Sequence, residues 1–184
     1  MKMKSLAVAV ALASGTVTAA TYDVELAGAT ASTGTLRAKI LSDICVADKK
    51  EYFVPGGKNW AVECEIDSSI TGEADVVTFR KADLGSGYGV APVAKSEPVN
   101  TLDFATCAFD ATVDSVDIYH CTSASTATAI PQIGSSDVEP AMFTGTLAVP
   151  GLPFDPAVDT LKDSQPVFGL VFGVPITTNL RDEL

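Results

Sequence analysis

One histidine, one tryptophan and twelve basic residues are all that this chain of 184 residues holds of three kinds of side chain on which many activities depend. The lone histidine, His120, cannot supply the several imidazoles of an ordinary metal site, and no Gly-x-Ser-x-Gly turn accompanies it as a nucleophile. It reads as a packed or surface residue. Twelve Lys and Arg stand against 23 Asp and Glu, for a net charge of −11. Nucleic acid is an unsuitable partner for such a chain, because phosphate binding needs clustered positive charge; cations and basic surfaces suit it better. No Cys-x-x-Cys occurs, so neither a thioredoxin-like redox pair nor a zinc knuckle is indicated. No Asn-x-Ser/Thr acceptor for N-linked sugar occurs either. The sequence points to no cofactor, no metal and no catalytic residue.

What is abundant is small and apolar. Charged residues are 19% and apolar residues 47%, and Ala, Thr, Val, Ser and Gly dominate. That profile belongs to short strands and small-residue turns rather than salt-bridged helices. The length suits one domain with one core.

Residues 1–20 carry Lys2 and Lys4, an apolar run from Leu6 to Ala13, then small residues up to Ala20. This is the layout of a secretory signal peptide, with cleavage expected after Ala19 or Ala20. The run is too short to span a bilayer, which takes about 20 apolar residues, and no transmembrane segment is expected in the mature chain, 21–184. Removing 1–20 leaves 10 basic and 23 acidic residues, so the mature charge is −13.

Export makes disulfides the expected state of Cys45, Cys64, Cys107 and Cys121. Four cysteines allow three pairings, and the most local joins Cys45 to Cys64 and Cys107 to Cys121. Loops of that size would each stabilise the fold by roughly 3 kcal/mol in the chain-entropy model. The first pair closes a predicted hairpin over Ile44–Ile66. Pro55 presets the first corner of a turn at Val54-Pro55-Gly56-Gly57, and a glycine supplies the positive φ of the second. Val54 lies nine residues after Cys45 and Pro55 nine before Cys64, so folding there brings the sulfurs together.

The second pair meets a conflict. Phe109, Ala111 and Val113 alternate on one arm and Val116, Ile118 and His120 on the other, around Asp114-Ser115. A two-residue turn puts all six on one face, and the same register puts Cys107 and Cys121 on opposite faces. Only a bulge in one arm reconciles pairing with register, and the register is the weaker of the two because the turn contains no glycine.

Along the rest of the chain, Tyr22–Leu26 and Leu36–Ile40 alternate with period two and read as half-buried strands. Paired antiparallel, they would set Asp23 and Glu25 against Arg37 and Lys39. Gly28–Gly34 between them is a small polar loop or a flexible arm. Ser68–Glu73 reads as a polar turn and Val76–Phe79 as a short strand. Leu84–Gly89 invites a phosphate-loop reading through Gly85, Gly87 and Gly89, but neither a helix nor a downstream lysine is expected to complete it, and a turn is favoured. Thr122–Ala129 reads as a linker able to take O-linked sugar. Phe143–Val149 reads as a strand, and Asp155-Pro156 as the start of a short helix. In Val167–Val174, Phe168, Leu170, Phe172 and Val174 alternate with Gly169, Val171 and Gly173. That strand is bulky on one face and nearly bare on the other, fit for close packing in a sheet or for lending to another subunit.

Carboxylates that could share a face are Glu63, Glu65 and Asp67, and also Asp110 and Asp114, but general acid work needs one desolvated beside one ionised. Asp110, Asp114 and Asp117 lack the spacing and central glycine of an EF-hand. The terminal Arg181-Asp182-Glu183-Leu184 resembles the KDEL/HDEL class of retrieval signal, which implies an address and not an activity.

Together these features predict a mostly β protein, a disulfide-stapled antiparallel β-sandwich-like domain with at most one short helix. They predict a secreted or cell-surface structural or binding protein that self-assembles or meets another surface protein. The alternative is a lumenal protein of the endoplasmic reticulum, assisting folding or binding calcium.

Overall fold

The computed structural model describes residues 21–57, 59–71, 75–122, 127–143, 149–155, 159 and 161. The expected signal segment, most of the strand expected at 143–149, the helix expected after Asp155, the strand expected at 167–174 and Arg181–Leu184 lie outside those residues.

The chain enters through β1 (Thr21–Gly28), turns at Thr30–Ser32, and runs through α1 (Thr33–Lys39) into a π-helical turn at Ile40–Ile44. Here the sequence expectation is corrected, because Leu36–Ile40 is helical and not a strand. Leu36, Ile40, Leu41 and Ile44 recur at helical spacing, and all four pack into one cluster with Trp60, Val62, Cys64 and Val77. The period-two reading saw only the first half of that pattern. Arg37, expected to meet β1, instead pairs with Glu51 at 2.7 Å.

β2 (Cys45–Phe53) and β3 (Asn59–Ile66) form the antiparallel hairpin, with Phe53 opposite Trp60. Gly56 takes φ +72°, and the Gly57 N–H donates to the Val54 carbonyl at 2.8 Å, closing the turn. Two register shifts in β2, one on either side of Ala47, bring Cys45 within a disulfide of Cys64, with Cα atoms 5.6 Å apart. Asp48, in the second shift, has φ +46°.

After α2 (Ser68–Thr71) comes β4 (Val76–Ala82), antiparallel to β3 and parallel to β1. A three-ten turn at Ser86–Gly89 and α3 (Ala91–Lys95) follow. Next come β5 (Val99–Thr101), β6 (Cys107–Val113), β7 (Val116–Cys121), β8 (Ala127–Ala129) and β9 (Ile133–Ser135). The sheet order is β6-β7-β2-β3-β4-β1-β9, with β5 and β8 as a separate pair. Ala127–Ala129 is therefore a strand where a linker was expected.

The structure is mostly β with two disulfides, as expected, but its main sheet is mixed and not purely antiparallel. β1 with β4, β1 with β9, and β2 with β7 are parallel pairs. Parallel strands of one sheet need crossover connections, and the helical passage from Thr33 to Ile44 carries the chain from β1 across one face of the sheet to β2, beyond β4 and β3. The other face is partly covered by Val99, Leu102 and Phe104, which pack on Ala27, Ala82, Tyr52 and Ala61. β9 docks through backbone contact. A Cβ on Gly134 would run into the Gly89 carbonyl, and one on Gly28 or Gly89 would strike the Ser135 carbonyl. Only glycine lets three backbones approach so closely.

The β6–β7 hairpin keeps both features that conflicted in the sequence. Asp114 and Ser115 take φ +48° and +65° and form a two-residue turn, with Val113 opposite Val116 and Ala111 opposite Ile118. A shift between Phe109 and Ala111 leaves Asp110 unpaired, so Cys107 comes opposite Cys121, and the two are bonded.

Candidate functional site

The densest chemistry lies at the carboxyl ends of the three parallel strands β1, β4 and β9, where ligand sites of parallel sheets commonly form. Lys81 continues the row of Val77 and Phe79 on the helix-covered face and is wholly buried. Its ammonium donates to the Ala29 carbonyl at 2.9 Å, to Thr33 Oγ1 at 3.3 Å and to the Asp83 carboxylate. The Thr33 hydroxyl donates to the other oxygen of Asp83. Ser32 Oγ lies 2.8 Å from the Ala29 carbonyl and 3.1 Å from Ser135 Oγ. Burial pushes the Lys81 ammonium below its ordinary value, against the opposing pull of Asp83.

A lysine has three protons to donate, and three acceptors take them here. A threonine beside a lysine and an aspartate has the makings of a nucleophile with a base. Yet these groups bond to one another, and Lys81, Asp83 and Ser32 are buried. They tie β4 to the turn after β1, a polar lock in the fold.

On the opposite face, Arg80 reaches Asp23 at 2.9 Å and Glu25 at 2.5 Å, with its guanidinium 5.6 Å from the centre of the Phe104 ring. Glu25 is buried, and its close oxygen forms an ion pair with Arg80 without hydrogen-bond geometry. Burial holds its carboxyl above the usual value while Arg80 pulls it down. The acidic face of β1 thus meets a basic residue as expected, but from β4. Next to it Tyr52 stacks on Phe104 and Tyr119 at 4.5 and 4.7 Å. Burial, with the Glu63 carboxylate nearby, pushes the Tyr52 hydroxyl up to about 12.

The residues singled out in the sequence are dispersed. His120 is half-exposed, edge-on to Phe53 at 4.8 Å and 3.8 Å from Asp110. Glu63 pairs with Lys50 at 2.5 Å, and Asp67 accepts the Ser69 N–H at 2.7 Å at the start of α2. Asp117 accepts from Thr112 at 2.6 Å and Asp114 sits in the turn. Among the described residues no three His, Cys, Asp or Glu side chains gather as a metal site. After the glycine-rich loop a helix and a lysine do follow, correcting the expectation. But α3 has only five residues, and Lys95 is bound to Asp159 at 2.9 Å.

The described residues also form an open apolar groove. Below the helical crossover, the amino-terminal half of β1 and the start of β4 leave an open groove of about 370 Å³ with no polar surface in its lining. Val24, Val77, Phe79 and Ile66 form its floor. Ile44 walls one side, and Tyr22 and Ile70, 51% and 62% exposed, form the rim. Large exposed apolar groups gathered in a concave site mark interaction surfaces. Sequence reading missed it because Ile70, Ile44 and Tyr22 come from separate elements; only Tyr22 and Val24 on one strand face hinted at it.

No helix among the described residues is long and apolar enough to cross a membrane, and the two disulfides fit an extracellular or lumenal setting. Comparison with protein-family models, with curated proteins and with solved structures finds no match to this chain.

Proposed function

We propose that this chain is an exported, non-catalytic binding or assembly protein whose contact surface is the apolar groove beside β1. The groove is the observation that carries this reading, since an exposed tyrosine and isoleucine over an apolar floor gain most when covered. The Lys81 cluster supports it, because among the described residues these gathered polar groups are spent on holding the fold. Partners are a second copy of the chain or another extracellular protein presenting an apolar segment. Size-exclusion chromatography with light scattering, together with electron microscopy, tests this on the mature protein. Concentration-dependent association that Ile70→Asp abolishes is expected. A strictly monomeric species under all conditions would remove the assembly version.

The address is secreted or cell-surface. The terminal Arg181–Leu184 supports a second address, the lumen of the endoplasmic reticulum. Under that reading deletion of the four residues releases the protein into the medium, and an unchanged distribution ends it.

A further inference from the structure

On the face of the sheet opposite the helical crossover, a row of rings runs out toward β6. Phe104 stacks on Tyr52 and Tyr52 on Tyr119, and Phe109 closes the row, edge-on to Tyr119 at 5.7 Å. Tyr52 is opposite Tyr119 and Tyr119 opposite Phe109, so the three share one rung and one face. Packing accounts for the inner rings, Tyr52 being buried and Tyr119 half-buried, but Phe109 stands 56% exposed. An aromatic ring left half in water gains when an apolar surface covers it, and Tyr119 already holds this one in place.

The next rung on the same face is polar. Lys50 lies opposite Glu63 on one side and Asp117 on the other, and Thr112 is opposite Asp117. Lys50 pairs with Glu63 at 2.5 Å, and the Thr112 hydroxyl donates to Asp117 at 2.6 Å. An ammonium has several protons and a carboxylate several lone pairs, so Lys50 and Asp117 can each take a further bond while keeping the present one. These two side chains also line a cavity of about 260 Å³, together with Asp48, Lys49 and Ser115. That is less room than a drug-sized ligand takes, and the lining is polar throughout.

Successive rungs on one face are about 7 Å apart, a span that a sugar ring with its hydroxyls covers. A pyranose offers what both rungs need: C–H bonds on one face to lie on Phe109, and hydroxyls at its rim that donate to carboxylates and accept from an ammonium. Asp48, Glu63 and Asp117 outnumber Lys49 and Lys50 around the cavity, on a chain of net charge −11. That field turns away acidic sugars and phosphates.

We propose that Phe109 and Tyr119 together with Lys50 and Asp117 form a binding site for a neutral saccharide, whose ring lies on Phe109 and whose hydroxyls bond Asp117 and Lys50 at the mouth of the cavity. The site is on the opposite face of the sheet from the apolar groove, and it stands or falls independently of that groove.

Amide NMR titration of the mature protein with its disulfides intact tests the proposal. The probes are cellohexaose, laminarihexaose, mannohexaose and chitohexaose, with hexagalacturonate as the acidic control. At least one neutral probe is expected to shift the amides of Phe109, Asp117 and Tyr119, and hexagalacturonate to leave them in place. Phe109→Ala and Asp117→Asn are each expected to weaken that binding by about tenfold at an unchanged midpoint of urea unfolding, while Ile70→Asp in the groove leaves it as it was. The titration of the unmodified protein gives an answer that does not depend on the variants folding. No shift at these amides with any neutral probe overturns the proposal, as do equal binding of hexagalacturonate and native affinity in a folded Phe109→Ala protein.

Discussion

Cys107 and Cys121 face each other across one rung of the β6–β7 ladder, their Cα atoms 3.8 Å apart, because Asp110 is an extra residue in β6. Were Asp110 paired in the ladder instead, the register set at Asp114-Ser115 would carry through, and the two sulfurs would lie on opposite faces of the hairpin.

Deleting Asp110 removes the extra residue and leaves Cys107 opposite Cys121 in a regular ladder, so both disulfides are expected to stay closed, as read by thiol labelling of the unreduced protein. Replacing Cys107 and Cys121 by alanine should cost about 3 kcal/mol in urea unfolding. A deletion variant with two reactive thiols would contradict this register.

The buried Lys81–Asp83 pair leads to a second expectation. Lys81→Met strands the Asp83 carboxylate in the interior and should destabilise by about 3–5 kcal/mol. Lys81→Met together with Asp83→Leu removes both charges and should recover most of that loss. Equal destabilisation of the single and double variants in urea unfolding would mean that some other property of Lys81 is being measured.

Glu25 gives a pH dependence whose sign follows from its raised carboxyl value. The folded state holds the proton more tightly than the unfolded state, so the group's contribution is full at low pH. It falls as pH rises from the ordinary value of 4.5 through the higher folded value. Asp43, Asp67 and Asp159, all held below the ordinary 3.8, act oppositely and lose their contributions in acid. They are unchanged by Glu25→Gln, so the stability difference between native and variant isolates Glu25. That difference should shift toward the variant between pH 4 and pH 7, measured by urea unfolding at each pH, and a flat difference contradicts the assignment.

Features decided by neighbouring residues were readable in the chain. The Val54–Gly57 turn, the strand at Tyr22–Leu26 and the two alternating arms around Asp114 each depend on a few adjacent side chains. What stayed hidden depends on partners far away in sequence. The parallel match of β1 to β4 joins Val24 to Phe79, and nothing near Val24 announces it. Leu36–Ile40 fits two periods at once, and the choice is made by Trp60 and Val62, which it covers. Lys81 gave one signal, its place in the row of Val77 and Phe79, where a buried side chain would be expected. The groove is assembled from elements that become neighbours only after folding.

The account depends most on export into an oxidising space, where disulfides stabilise a chain built from small side chains. Mass spectrometry of unreduced peptides from the native molecule tests this directly. The prediction is linked peptides for Cys45–Cys64 and Cys107–Cys121 and a first residue of Ala20 or Thr21. Four free thiols on a chain still beginning at Met1 would contradict it.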